Sequence, residues 1–265
     1  MKYELSKKNA IAFAIFHVGM VVAIIFFPSF QGLSLAGVVF AISLCPGIGA
    51  GFHRLLTHRG YKTPKWVEYI LTVCGYLALQ GGAIWWVVWH RLHHKFTEIM
   101  GLDPHTPRDG RWWAHMDWML HPDPKYRDPK LLKKMAPDLM KDRFHVFLNK
   151  YLWVPIALFG ILVLSFGGFG AFCWAVFVPV VLGWHSTWLV NSATHLWGYR
   201  THETKDDSRN NWWVALLTFG EGWHNNHHAH QRSVRHGNAW WEYDPNHRFI
   251  QLLQLLGLAK DLHYR

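Results

Sequence analysis

The chain has 265 residues, 51% of them hydrophobic, and the apolar residues are gathered into a few long runs, which points to a membrane protein rather than to one soluble core. A net charge of +10 without any nucleic-acid-binding motif argues against a nucleic-acid partner and for basic residues at a membrane surface. Cys45, Cys74 and Cys173 lie far apart, so neither a disulfide framework nor a cysteine zinc site is readable, and a reducing face is expected.

In chain order, Lys2, Lys7 and Lys8 precede an apolar run at 11–27, and a second run at 33–52 comes after it without a small-residue cleavage site. The first run is therefore read as a span and not as a signal peptide. Both reach the roughly 17–20 residues that a helix needs to cross a bilayer, and together they form a hairpin. Residues 53–150 are polar and basic. Within them 66–89 is partly apolar, rich in Trp and interrupted by Gln80-Gly81-Gly82, and it is expected to lie as a helix at the interface. A loop punctuated by Pro and Asp occupies 103–128, then a short charged helix runs to residue 142. A second apolar pair, 151–166 and 171–190, flanks Gly167-Gly168-Phe169-Gly170. Beyond it 196–265 is again polar, basic and aromatic, with an amphipathic stretch at 249–258.

The expected fold is thus one all-α integral membrane domain over 1–265, with four transmembrane helices in two hairpins and a helical cap formed by 53–150 and 191–265. Lys and Arg number three before residue 11, sixteen in 53–150 and eight from 193 onward, which accounts for all 27. Under the positive-inside rule both termini and the cap face the cytoplasm.

Histidine supplies the chemistry. His90, His93 and His94 stand at i, i+3 and i+4, as do His224, His227 and His228, so each trio can share a helical face. His195 comes four residues after Asn191 where the last span emerges. His53 and His58 are five apart just after the second run, which suits a helix end that unwinds toward the same point. Nine imidazoles exceed the about four to six positions around one ion, so two metals are expected. Spacing does not name the metal, since imidazole suits zinc, copper, iron and nickel alike. Carboxylates are sparse, with Glu98 and Glu221 near the clusters.

Several stretches carry a resemblance: Gly51-Phe52-His53-Arg54-Leu55 with Thr57-His58-Arg59, His90-Arg91-Leu92-His93-His94-Lys95-Phe96, Asp103-Pro104-His105, Asn191-Ser192-Ala193-Thr194-His195, and Gly220-Glu221-Gly222-Trp223-His224-Asn225-Asn226-His227-His228. Over residues 48–260 the chain resembles the membrane fatty acid desaturases, most closely the Δ9 acyl-lipid and stearoyl-CoA types. The resemblance implies a di-iron centre held by His53, His58, His90, His93, His94, His195, His224, His227 and His228, with Asn191 reaching one iron through water. It further implies that dioxygen and two supplied electrons remove hydrogens from adjacent methylenes of an acyl chain on a lipid or on coenzyme A. Ferredoxin or a b-type cytochrome would be the external electron donor.

By position Gln80, Trp86, Thr187 and Trp188 match residues that line a bent substrate tunnel in the family. His105 is expected to support a ligand by hydrogen bonding, and Asp103 and Glu221 to stand behind the ligands. The stretch from Thr97 to His105 is one residue longer and more apolar than the family pattern. His115, His121, His145, His202, His230, His236, His247 and His263 are read as surface or packing residues, and His17 and His185 lie inside spans without a role. A related histidine-rich membrane hydroxylase or ketolase is the nearest alternative function, and a metal transporter or metal-binding protein the alternative of another class.

Overall fold

The computed structural model describes residues 3–265, so Lys2 lies outside the described residues. Among these the chain is all helix and loop, with three isolated β-bridges and no strand. Three helices are long and apolar enough to cross a membrane: Lys7–Phe26, Phe30–Thr57 and Val154–Leu196. Their outward side chains are apolar, among them Ile11, Val18, Phe26, Leu158 and Phe166, a surface that suits hydrocarbon and not water.

Helix α1 (Lys7–Phe26) begins at Ser6, whose hydroxyl accepts from the Asn9 N–H, and α2 (Phe30–Ile42) begins at Ser29 in the same way. The second helix does not unwind after residue 52, as the sequence suggested. It continues through Ser43–Thr57 with i→i+5 winding. Pro46 lacks an N–H and cannot sustain the tighter ladder there. The widened turn puts residues five apart on one face, and the His58 N–H donates to the His53 carbonyl at 3.1 Å. The spacing of His53 and His58 is that of this winding.

The passage expected to be one interfacial helix is two, α3 (Lys65–Tyr76) and α4 (Ala83–Phe96), separated by a turn in which Leu79 has φ 48° and Gly81 φ 95°. α3 runs back alongside Ser43–Thr57 so closely that a Cβ on Gly47 would stand 2.5 Å from the Gly75 nitrogen. α4 carries Val87 and Val88 fully buried, packed with Phe52, Tyr76, Ile84 and Ile250, so its apolar face meets protein and not lipid. Short helices α5 (Trp118–Leu120), α6 (Pro129–Met135) and α7 (Arg143–Lys150) come next.

The 43-residue apolar helix is broken at Gly168, whose φ of 73° and ψ of −178° are not helical. The glycine-rich stretch read as a hairpin tip supplies this residue because it has no Cβ to clash. α8 (Val154–Phe172) thereby folds back on itself and on the adjoining turn, and Gly160 abuts Phe172 and Val176. After an i→i+5 turn at Cys173–Phe177, α9 (Val178–Leu196) runs unbroken past Asn191 to His195. Both α1 and α2 pack on α9 and on the turn before it. α10 (Trp212–Leu217), α11 (His224–Ala229) and α12 (Pro245–Leu255) complete the chain.

Candidate metal centre

The polar ends of four elements converge. The widened helix brings His53 and His58, α4 brings His90, His93 and His94, α9 brings His195, and α11 brings His224, His227 and His228. The nine histidines sort into two pockets: His53, His58, His90, His94 and His227 in one, and His93, His195, His224 and His228 in the other. Within each pocket the ligand atoms lie within 4.8 Å of one another. The pockets adjoin, with the His94 and His228 rings 4.6 Å apart.

In the five-histidine pocket the Nε2 atoms of His53 and His227 stand 3.1 Å apart, those of His227 and His94 2.9 Å, and those of His94 and His90 2.9 Å. His58 turns a buried Nε2 without a hydrogen-bond partner into the same space. In the four-histidine pocket His224 and His195 approach at 3.0 Å and His93 and His228 at 3.4 Å, again through Nε2.

The far nitrogens explain this. His53 donates from Nδ1 to Glu221 at 2.5 Å, His93 to Asp103 at 3.0 Å, His195 to Glu98 at 2.8 Å and His228 to Asp206 at 2.9 Å. A proton fixed on Nδ1 leaves Nε2 as a lone pair. His93 and His228, each held by a carboxylate on Nδ1, bring their Nε2 atoms together as ligands around a shared cation do. These donor sets fit metal ions with a preference for imidazole.

Electrostatics agree with ligation. Burial, reinforced by the neighbouring histidines, holds His58, His90, His94, His224 and His227 far below the usual imidazole range, so each is neutral and free to bind metal at neutral pH. Burial likewise brings His228 down to about 4, against the pull of Asp206. Burial would raise Asp103 and Asp206, yet His93 and His228 keep both carboxyls below their ordinary range.

A row of cavities leads to the pockets. The largest of the row, about 400 Å³, has Lys8, Lys125, Arg127 and Lys150 together with Asp103, Asp109 and Asp123 among the residues at its walls. A second, about 60 Å³, is lined by Gln80, Trp86, His90, His105, Thr187, Trp188 and Asn191, which include all four expected tunnel residues. A third, about 40 Å³, reaches from Asn191, His53 and His224 to Leu44, Ile48 and Thr218. Neighbouring cavities share walls, Phe13 and Trp89 between the first two and Trp86, His90 and Asn191 between the last two. The buried Gln80 amide donates to Thr187 Oγ1 at 2.8 Å and to the Gly183 carbonyl at 3.2 Å, and its oxygen accepts from Trp86 Nε1 at 3.4 Å.

The family model for fatty acid desaturase matches residues 9–255. The chain belongs to the fatty acid desaturase family. The desaturase is 45% identical to an sn-1 stearoyl-lipid 9-desaturase of Anabaena variabilis, over 98% of this chain and 95% of that one. It is equally 45% identical to an sn-2 palmitoyl-lipid 9-desaturase of a Nostoc species, over 95% and 88%. An acyl-CoA C20 Delta5-desaturase of Anemone leveillei is 44% identical, over 94% and 81%. The protein is accordingly an oxidoreductase of fatty acyl chains and a membrane protein.

Several desaturase residues near the centre differ from their sequence reading. His105 makes no supporting hydrogen bond through Nδ1, which stands 3.9 Å from Asp103. Its ring lies 4.6 Å from that of His93 and faces the second cavity instead. Asp103 itself holds the ligand. His236 and His145, read as surface or packing residues, pack: both are fully buried, and His145 lies away from the centre against Glu68. His236 lies against Glu221 and Arg54, its ring 4.5 Å from that of His227. In the sequence Glu98 stands out only by its nearness to a cluster, and Asp206 does not stand out. Asp206 lies 22 residues before its partner His228 in an irregular loop, where no periodicity could reveal it. His17 and His185 are joined at 3.1 Å through Nε2, and His185 continues to His115 at 3.1 Å, so the two span histidines satisfy each other.

Proposed function

We propose that this desaturase introduces a cis double bond, at Δ9, into a saturated acyl chain carried by a membrane lipid or by coenzyme A. The observation that carries the reading is the row of cavities, which runs from a charged wall, with Lys8, Lys125, Arg127 and Lys150 beside Asp103, Asp109 and Asp123, past His90 and Asn191, to an apolar end at Leu44 and Ile48. An acyl chain threaded along it would leave its anionic or polar head among Lys8, Lys125, Arg127 and Lys150 and set its middle methylenes beside both histidine pockets. Relatives of similar identity act on lipid-linked and on CoA-linked chains, which is why both carriers are retained.

Iron is the proposed metal. Five histidines would hold one ion and four histidines the other, with Asn191 reaching the second through a water. Bound there, the pair would supply redox chemistry with dioxygen that no acid or base can provide for an unactivated C–H bond. Overall, R–CH2–CH2–R′ + O2 + 2 e− + 2 H+ gives R–CH=CH–R′ + 2 H2O. Ferredoxin or a b-type cytochrome would deliver the electrons. The protein's own part is positional. Trp86, Trp188 and the Gln80–Thr187 pair shape the bend, and the buried pockets keep bulk water from the reacting carbons.

Four spans in two hairpins, with both termini and the centre cytoplasmic, are part of the proposal. The break at Gly168 and the placing of every Lys and Arg outside the two proposed hairpin tips support it.

Expression in a host lacking unsaturated lipids, with mass analysis of its acyl chains, tests the function. A product lighter by two hydrogens is expected, whereas one heavier by an oxygen atom would make the protein a hydroxylase. Gln80→Leu removes the amide that pins the bend, a loss of about 1 kcal/mol per hydrogen bond. It should spread the double bond over neighbouring positions while metal content stays the same. A single unchanged position would mean that Gln80 does not set the register.

A further inference from the structure

The two pockets differ in what stands behind their ligands. We propose that they hold their metals at unequal reduction potentials, the four-histidine pocket retaining the ferric state more strongly because three of its ligands carry a carboxylate on Nδ1. The inference rests on the di-iron reading of the site and adds Glu98 and Asp206 to its working residues.

In the four-histidine pocket His93 bears Asp103, His195 bears Glu98 and His228 bears Asp206. In the five-histidine pocket only His53 is so paired among the described residues, with Glu221. A carboxylate hydrogen-bonded to the far nitrogen makes an imidazole a stronger donor and brings a negative charge near the ion. Both effects favour the higher oxidation state, and burial enlarges the second.

The partners of the carboxylates widen the difference. Glu221 also accepts from Arg54 Nη2 at 2.9 Å and Nε at 3.2 Å, so a buried guanidinium stands against its charge. That guanidinium is shared with Asp244 at 3.0 Å. Asp103 takes its remaining hydrogen bonds from the backbone N–H groups of Glu98, at 2.8 Å, and His105, at 3.2 Å. Asp206 takes its own from Thr204 Oγ1 at 2.9 Å and the Ser208 N–H at 3.1 Å. Those donors are neutral. Glu98 does meet a cation, Arg108 at 3.1 Å, but Arg108 is half exposed and also paired with Asp207 at 2.8 Å, so solvent and a second carboxylate weaken it. The four-histidine pocket thus has three carboxylates behind its ligands and the five-histidine pocket one, whose charge the shared Arg54 offsets in part.

Reduction from the diferric to the diferrous state takes one electron per iron, two in all, from the external one-electron donor. With unequal potentials the first electron enters the five-histidine pocket. The test is a stepwise anaerobic reduction of the full-length protein, loaded with isotopically enriched iron and followed by Mössbauer and electron paramagnetic resonance spectroscopy. Two resolved one-electron steps are expected, with a mixed-valence species at half reduction.

Asp103→Asn and Asp206→Asn should each shift the more negative step upward and leave the other in place. Glu221→Gln should shift the more positive step upward. A single two-electron step in the unaltered protein overturns the proposal, and so does movement of the opposite step in the variants. Where a variant loses iron, the steps of the unaltered protein still decide. Iron content is measured first. Fewer than two irons per chain would remove the di-iron reading itself, and two irons that reduce together would remove only this inference.

Discussion

His227→Ala should abolish desaturation and cost the protein one of the two metals proposed for it. His227 stands where the five-histidine pocket closes: its Nε2 is 3.1 Å from that of His53 and 2.9 Å from that of His94, and its ring packs 4.7 Å from that of His58. Losing a residue behind a ligand commonly lowers metal affinity or activity about 10- to 100-fold, so losing the ligand itself should exceed about 100-fold. Apolar packing around the site does not depend on this ring, and the variant should fold, because α11 is held by Asn225 and Asn226 through bonds to Thr201, His202, Asn210 and Glu242. Metal analysis per chain and the yield of unsaturated lipid check it. His263→Ala, which alters an exposed histidine, is the control expected to keep both. Two metals per chain with activity within about tenfold of the unaltered protein would remove His227 from the centre.

The nine histidines were legible because helix periodicity is a strong local rule. Spacings of three and four set the α4 and α11 trios on single faces, and the structure brings both trios together. His53 and His58 were legible as partners but not in their winding. A spacing of five belongs to no α-helical face, and only the i→i+5 turns around Pro46 make it one. Asn191 and His195 obey the same four-residue rule, and α9 carries both into the site. The bend residues came from resemblance, and the Gln80–Thr187 bond supplies the partner that a buried amide requires.

What the sequence hid is tertiary. The 66–89 stretch was legible as amphipathic but not as two helices: Val87 and Val88 of α4 are buried in protein, while Trp66, Ile70 and Val73 of α3 stay exposed, and hydropathy does not distinguish the two neighbours. His236 was read only as a surface or packing residue because it has no partner at helical spacing, and it packs. Its burial comes from Arg54, which reaches across to the Val234 carbonyl at 2.6 Å and to Asp244 at 3.0 Å. The roles of Glu98 and Asp206 behind the ligands were the largest omission. Asp103 and Glu221 lie beside histidine motifs, whereas Asp206 pairs through a fold that only the structure supplies.

Glu98 gives the second large effect. It sits at φ 62°, a conformation that a residue with a side chain adopts only when its surroundings hold it there. Those surroundings are specific: the carboxylate accepts from His195 Nδ1 at 2.8 Å and from the Asp207 N–H at 2.8 and 2.9 Å, and meets Arg108 at 3.1 Å. It is 4% exposed. Glu98→Gln keeps the shape but replaces one acceptor oxygen with an NH2 group facing donors, a cost of about 1–3 kcal/mol for the hydrogen bonds left unmade. The remaining oxygen can still accept from His195 Nδ1, but the negative charge behind that imidazole is gone, and the four-histidine pocket should bind metal or turn over about 10- to 100-fold less well. Because Glu98 lines none of the cavities described, KM for the acyl substrate should hold while kcat falls. Steady-state kinetics, with metal content measured on the same preparation, separate the two. Unchanged kcat and metal content, or a rise in KM alone, would leave Glu98 a structural residue with no part in holding His195 to the metal.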